Sequence, residues 1–266
     1  MLKTEMRNEA SRHIDKMDTL SMVSLINKEN MNAVLAVEKA QADIAKVCDK
    51  TAECIEKGGR LFYIGCGTSG RLGVLDAAEC PPTYGVPKDQ VVGIIAGGDK
   101  SLRQASEASE DSAENGKADI AAYRLCDKDI VIGISAAGGA AYVLGALEYA
   151  NSVGAYTVSI SNNPDTPIEK VAKASIVADT GAEVVTGSTR MKAGTAQKLI
   201  LNTISTCAMI KTGKVYENMM VNLKPANIKL KDRMVRIVCD IRGCDYETAL
   251  QLLEKSDWSI PKAIEL

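Results

Sequence analysis

Apolar positions recur at three- and four-residue spacing from Met17 to Lys57, through Leu20, Val23, Leu25 and Ile26, then Ala33, Val34, Ala36, Val37, Ala40, Ile44 and Val47. That is the period of one amphipathic helical face, and Gly58-Gly59 closes the tract. The pattern then changes. Short apolar runs at Leu61–Ile64, Val91–Ala96, Ile130–Ile134, Tyr156–Ile160 and Ser175–Ala178 predict five strands. Helical periods fill the gaps, at Arg71–Ala78, Leu102–Leu125 and Ala141–Val153. Strands that are apolar throughout and alternate with helices predict a parallel sheet covered on both faces, with right-handed crossovers. After a loop at Thr180 the pattern predicts a long helix over Met191–Lys211 and a second over Asn227–Arg242. Two short helices follow in Asp245–Leu266, broken near Asp257, with Pro261 at a helix start. A boundary falls near Val221–Ala226, where Asn, Lys and Pro interrupt the period. The expected organisation is a helical segment over 1–50, an α/β domain over 51–222 and a helical module over 223–266.

Composition narrows the chemistry. The 266 residues carry 32 basic and 34 acidic side chains, too balanced for a nucleic-acid or anionic-lipid surface. Aromatic residues make up only 4%, which argues against base stacking. His13 is the single histidine, so His-rich zinc sites are excluded. It lies in a polar tract and is expected at the surface. Acid–base chemistry must therefore rest on Asp, Glu, Lys, Tyr or Cys. Eight cysteines without a C-x-x-C pair, and a first stretch without an apolar signal region, point to free, mostly buried thiols in a cytoplasmic protein.

The first strand runs into Gly65-Cys66-Gly67-Thr68-Ser69-Gly70, a G-x-G-x-x-G sequence in strand–turn–helix context. Three readings stay open: a phosphate monoester site, a dinucleotide site and a plain structural turn. Against the dinucleotide, the nearest acidic residue at the end of the second strand is Asp99, too far along the chain. For the monoester, Thr68 and Ser69 add hydroxyls to the free N–H groups of a helix N-terminus. Glu79 reads equally well as a solvated residue at a helix end, and Glu107 with Glu110 as an acidic helical face. Ser188 or Thr189 could cap the long helix.

The stretch from Gly65 through Ala78-Glu79-Cys80-Pro81-Pro82 to Gly85 closely resembles the N-acetylmuramic acid 6-phosphate etherases, which are sugar isomerase (SIS) domain proteins. Gly181–Lys198 is similar to a signature shared with the glucokinase regulatory protein. Ile95–Asp99 and Glu107–Ser112 also fit, and the likeness runs from about Thr19 to the C-terminus. The resemblance implies a three-layer SIS fold with a five-stranded parallel sheet, a helical N-terminal extension and a small helical C-terminal module of ubiquitin-associated type. It implies a cytoplasmic homodimer without metal or cofactor. The activity would be cleavage of a D-lactyl ether by elimination and hydration, releasing N-acetylglucosamine 6-phosphate and D-lactate. Glu79 would be the acid and Glu110 the base, with Gly67, Thr68, Ser69, Ser135, Ser188 and Lys192 around the sugar phosphate. The alternative is a non-catalytic sugar-phosphate sensor like the glucokinase regulatory protein.

Two departures from the family pattern carry expectations. Relatives usually have Ala-Ser-Gly-Arg-Thr-Pro-Tyr after the third strand, where this chain has Ala136-Ala137-Gly138-Gly139-Ala140-Ala141-Tyr142. Loss of a guanidinium and two hydroxyls should weaken the phosphate clamp and impair the enzyme. The terminal module is expected to be cut within its last helix.

Overall fold

The computed structural model describes residues 1–104, 107–225 and 227–266. Helices α1 (Thr19–Lys39) and α2 (Gln41–Glu56) precede β1 (Leu61–Gly65), α3 (Gly67–Tyr84) and β2 (Val91–Ile95). Next come the short α4 (Lys100–Arg103), α5 (Ala113–Ala121), β3 (Ile130–Ile134), α6 (Ala141–Ser152) and β4 (Tyr156–Ser161). Then follow α7 (Pro167–Val171), β5 (Ala174–Val177), α8 (Lys192–Lys211) and a two-stranded hairpin of β6 (Val215–Tyr216) and β7 (Met219–Met220). The chain closes with α9 (Ile228–Arg242), α10 (Tyr246–Lys255) and α11 (Ile260–Glu265).

All five predicted strands form one parallel sheet in the order β2-β1-β3-β4-β5. Alternation along each strand feeds two cores. Leu61, Tyr63, Ile130 and Ile132 pack beneath α1, α2, α3 and α8, while Phe62, Ile64 and Val131 face α5, α6 and α7. A separate apolar cluster forms where Val221 and Leu223 meet α9, α10 and α11, around Met234, Val238, Leu253 and Ile260.

The structure departs from the sequence pattern in four places. The tract 17–57 is two helices, broken at Ala40. The expected helix 102–125 is interrupted: after α4 a 3-10 turn spans Glu107–Glu110, and Ser112 starts α5 afresh by accepting the Asn115 N–H. Residues 105 and 106 of that expected helix lie outside the described residues. Helix α3 continues through Pro81 and Pro82 to Gly85, so Glu79 lies inside it. The first 18 residues make three 3-10 turns that sit on the loops after β4 and β5. There Ser11 donates to the Val184 carbonyl, Asn8 to that of Ala182, and Thr4 pairs with Asn163.

Candidate functional site

Parallel strands all end on one side of the sheet, and the loops leaving those ends collect the hydroxyls and amides that the sequence singled out. The first loop turns from β1 into α3. Gly67 is exposed with φ +51°, a left-handed conformation suited to glycine. Gly70 is buried, and a Cβ there would lie 2.5 Å from the Gly65 carbonyl oxygen and 2.7 Å from Ile95 Cγ1. The close approach of helix to strand therefore requires a glycine. Thr68 is half-buried with its methyl against Gly194. Ser69 is buried, and its hydroxyl donates to Gln197 Oε1 at 2.9 Å.

The second loop leaves β3. Ser135 is buried and its Oγ accepts the Gly138 N–H at 3.0 Å, so this hydroxyl stabilises the turn. Gly138 has φ +75° and presses on Thr166, where a Cβ would come within 2.3 Å of the Thr166 Cβ. Gly139 is exposed with open space around it. Helix α6 begins at Ala141 after Ala140, which offers no side-chain cap, and Thr166 is buried beneath the loop.

Ser188 belongs to the third loop, 178–191, and Lys192 opens α8 directly after it. Ser188 is half-buried and neither it nor Thr189 caps α8. The capping group is Glu183, fully buried, whose carboxylate accepts the N–H groups of Lys192 (3.3 Å) and Ala193 (2.9 Å). Burial pushes the Glu183 carboxyl above its ordinary value, partly opposed by those two N–H groups. The Lys192 ammonium is 2% exposed and bonds Glu29 of α1 at 2.6 Å. Burial raises the Glu29 carboxyl, but the hydrogen bonds from Lys192 and Asn8 outweigh it and hold the group below its usual value. Lys192 thus ties the N-terminal helix to α8. Sequence reasoning missed both carboxylates, because Glu29 and Glu183 stand 163 and 9 positions from Lys192, at no capping or helical spacing.

The two glutamates stand on different elements. Glu110 closes the 3-10 turn and is exposed. Its charge reaches Cys66, whose thiol is pushed up to about 12 by burial first and then by Glu110 and Asp111. Glu110 therefore borders the first loop. Glu79 is exposed on α3, 13 residues beyond Cys66, which at 1.5 Å per residue is about 20 Å down the helix. Of the remaining groups, His13 is exposed, and all eight cysteines are free. Cys48, Cys54 and Cys80 are buried, four others are half-buried and Cys126 is exposed.

The sequence is similar over nearly its whole length to proteins named N-acetylmuramic acid 6-phosphate etherase. One from Aeromonas hydrophila is 52% identical over 96% of this chain and 85% of its own length, and one from Clostridium beijerinckii 51% identical over 99% and 86%. The chain belongs to the N-acetylmuramic acid 6-phosphate etherase family. Within it, residues 43–151 match the glucokinase regulatory protein N-terminal SIS domain and residues 112–206 the SIS domain. Solved phosphoheptose isomerases share the fold. That of Francisella tularensis superposes with a TM-score of 0.53 at 16% identity over 72% of this chain and 98% of its own. That of Neisseria gonorrhoeae gives 0.54 at 17% over the same shares. No helix among the described residues is long and apolar enough to cross a membrane.

Proposed function

We propose that this chain is an etherase that removes the D-lactyl group from N-acetylmuramic acid 6-phosphate. One observation carries the reading: about half of all residues are identical to proteins of that name across almost the entire chain, with Glu79 in Ala-Glu-Cys-Pro-Pro and Glu110 in Glu-Asp-Ser. In the ring-opened sugar the C1 aldehyde makes the C2 proton acidic. Glu110 removes it, Glu79 protonates the departing ether oxygen, lactate leaves, and water adds at C3. The sugar phosphate lies over the strand ends, where Gly67 and Thr68 offer N–H groups and a hydroxyl at the start of α3. Relatives named as etherases match nearly the whole chain, whereas the glucokinase regulatory protein segment matches only residues 43–151, which favours the enzyme over a sensor without catalysis. Only an enzyme releases lactate.

The helix geometry constrains how the two glutamates meet. We read the enzyme as a homodimer in which Glu79 of one copy faces Glu110 of the other. Leu75, one turn before Glu79 on the same face of α3, is 51% exposed, and α1 presents Leu20, Val23, Met31 and Val34 to solvent at helical spacing. Free thiols suit a cytoplasmic setting. Mixing an inactive Glu79→Gln chain with an inactive Glu110→Gln chain tests the shared site. Random re-pairing leaves one intact site in half of the dimers, so about a quarter of wild-type activity returns. A mixture as dead as its components would place both groups within one chain.

A further inference from the structure

A chain of buried amides joins four strand-end loops through a residue that no substrate contact requires. Gln197, on the second turn of α8, is 1% exposed. Its Oε1 accepts the Ser69 hydroxyl of the first loop at 2.9 Å, and its Nε2 donates to Asn162 Oδ1 at 3.0 Å. Asn162 Nδ2 then donates to the Ala178 carbonyl at 2.8 Å, beyond β5. The Asn162 N–H donates to the Ala136 carbonyl at 3.0 Å, inside the second loop.

The direction of this chain is fixed at one end. A backbone carbonyl only accepts, so Ala178 obliges Asn162 to present its NH2 there and its oxygen to Gln197. Gln197 must then present its NH2 to Asn162 and its oxygen to Ser69. The Ser69 proton is therefore committed inward. Reversing any member would set two oxygens face to face in a dry interior, which costs more than the bond gained.

We infer that Gln197 is a positioning residue for sugar-phosphate binding: by fixing Ser69 and Asn162 it sets the first loop against the second and leaves phosphate donation to Thr68 and the backbone N–H groups. The inference rests on the functional reading above, which puts the phosphate at these loops. Its effect falls on substrate affinity, because the glutamates lie outside the chain of amides.

Gln197→Glu, with steady-state turnover of N-acetylmuramic acid 6-phosphate followed against pH, tests the direction as well as the role. A buried carboxyl is pushed up in pKa. Protonated, it reproduces the amide, accepting from Ser69 and donating its O–H to Asn162. Ionised, it opposes an oxygen that Ala178 prevents from turning away. The KM ratio of variant to wild type should start near one at low pH and rise at least ~10-fold with pH, while the kcat ratio moves less than about threefold. Gln197→Met, similar in length and neutral, separates alignment from charge repulsion: its KM should be raised about 10-fold at every pH. A pH-independent ratio for Gln197→Glu, or an unchanged KM in Gln197→Met, overturns the inference. A wild-type chain that releases no lactate overturns the functional reading as well.

Discussion

The loops after β1 and β3 leave neighbouring parallel strands and lead into helices, yet they are built differently. The first is pinned from outside: Gly70 is wedged between Gly65 and Ile95, Ser69 is tied to α8, and the Glu110 charge stands beside Cys66. The second is held from outside only through its backbone, the Ala136 carbonyl accepting from Asn162 and the Gly138 carbonyl from Ile168; its one side-chain bond, Ser135 to the Gly138 N–H, stays within the turn, and its outer positions are alanine and exposed glycine. Side-chain anchoring on one side and bare backbone on the other leave the first loop with the better-fixed polar groups. The second retains a turn geometry with little polar reach.

That asymmetry can be broken by substitution. The largest effect should come from Glu110→Gln, which keeps the 3-10 turn and removes the proposed base. Lactate release should fall ~10²–10⁴-fold with an unchanged melting curve, and near-normal turnover would remove Glu110 from the reaction. Steric tolerance should differ next. Gly70→Ala forces a Cβ into backbone 2.5 Å away and should cost about 2–4 kcal/mol of unfolding free energy. Gly139→Ala enters open space and should change stability by less than about 0.5 kcal/mol. Denaturant titration of both variants would expose equal sensitivity if the contrast is false.

Restoring polar groups to the second loop should sharpen the comparison. Ala137→Ser, Gly139→Arg and Ala140→Thr together should tighten binding of the sugar phosphate at least ~10-fold, about 1.4 kcal/mol, and leave the unphosphorylated sugar unaffected. Equal calorimetric affinities before and after would move the phosphate away from this loop, towards Ser188. The smallest effect concerns Cys66. Its thiol, held up near 12 by burial and by Glu110, should be alkylated slowly at neutral pH. In Glu110→Gln the nearby negative charge is gone, the pKa falls, and Cys66 modification read by peptide mass should speed up several-fold. An unaltered rate would separate Glu110 from the first loop.

The sheet was legible because each strand is a compact apolar run bounded by glycine or charged residues, as in Gly58–Gly65 and Lys128–Ile134. The fracture of 102–125 was harder to see. Its local signal was Asp111-Ser112, a helix start hidden within a continuous helical period. The break at Ala40 has no signal, since alanine is the best helix former. At the site, the glycine loop was readable from order and spacing. Glu183 capping α8, Lys192 on Glu29 and the Ser69–Gln197–Asn162 chain were not, because each joins elements remote in sequence. Lys192 illustrates the limit: as a residue type in a polar loop it suggests a phosphate ligand, and only the fold reveals the buried ion pair.

The fate of one oxygen atom tests the elimination most directly. N-acetylmuramic acid 6-phosphate incubated with the protein in water enriched in oxygen-18 should yield D-lactate that retains the original ether oxygen. The N-acetylglucosamine 6-phosphate formed should carry the heavy isotope at C3, since elimination breaks the C3–O bond and water refills it. Label in the lactate instead would mean cleavage on the other side of the ether oxygen, and absence of lactate would mean that the strand-end site binds without catalysing.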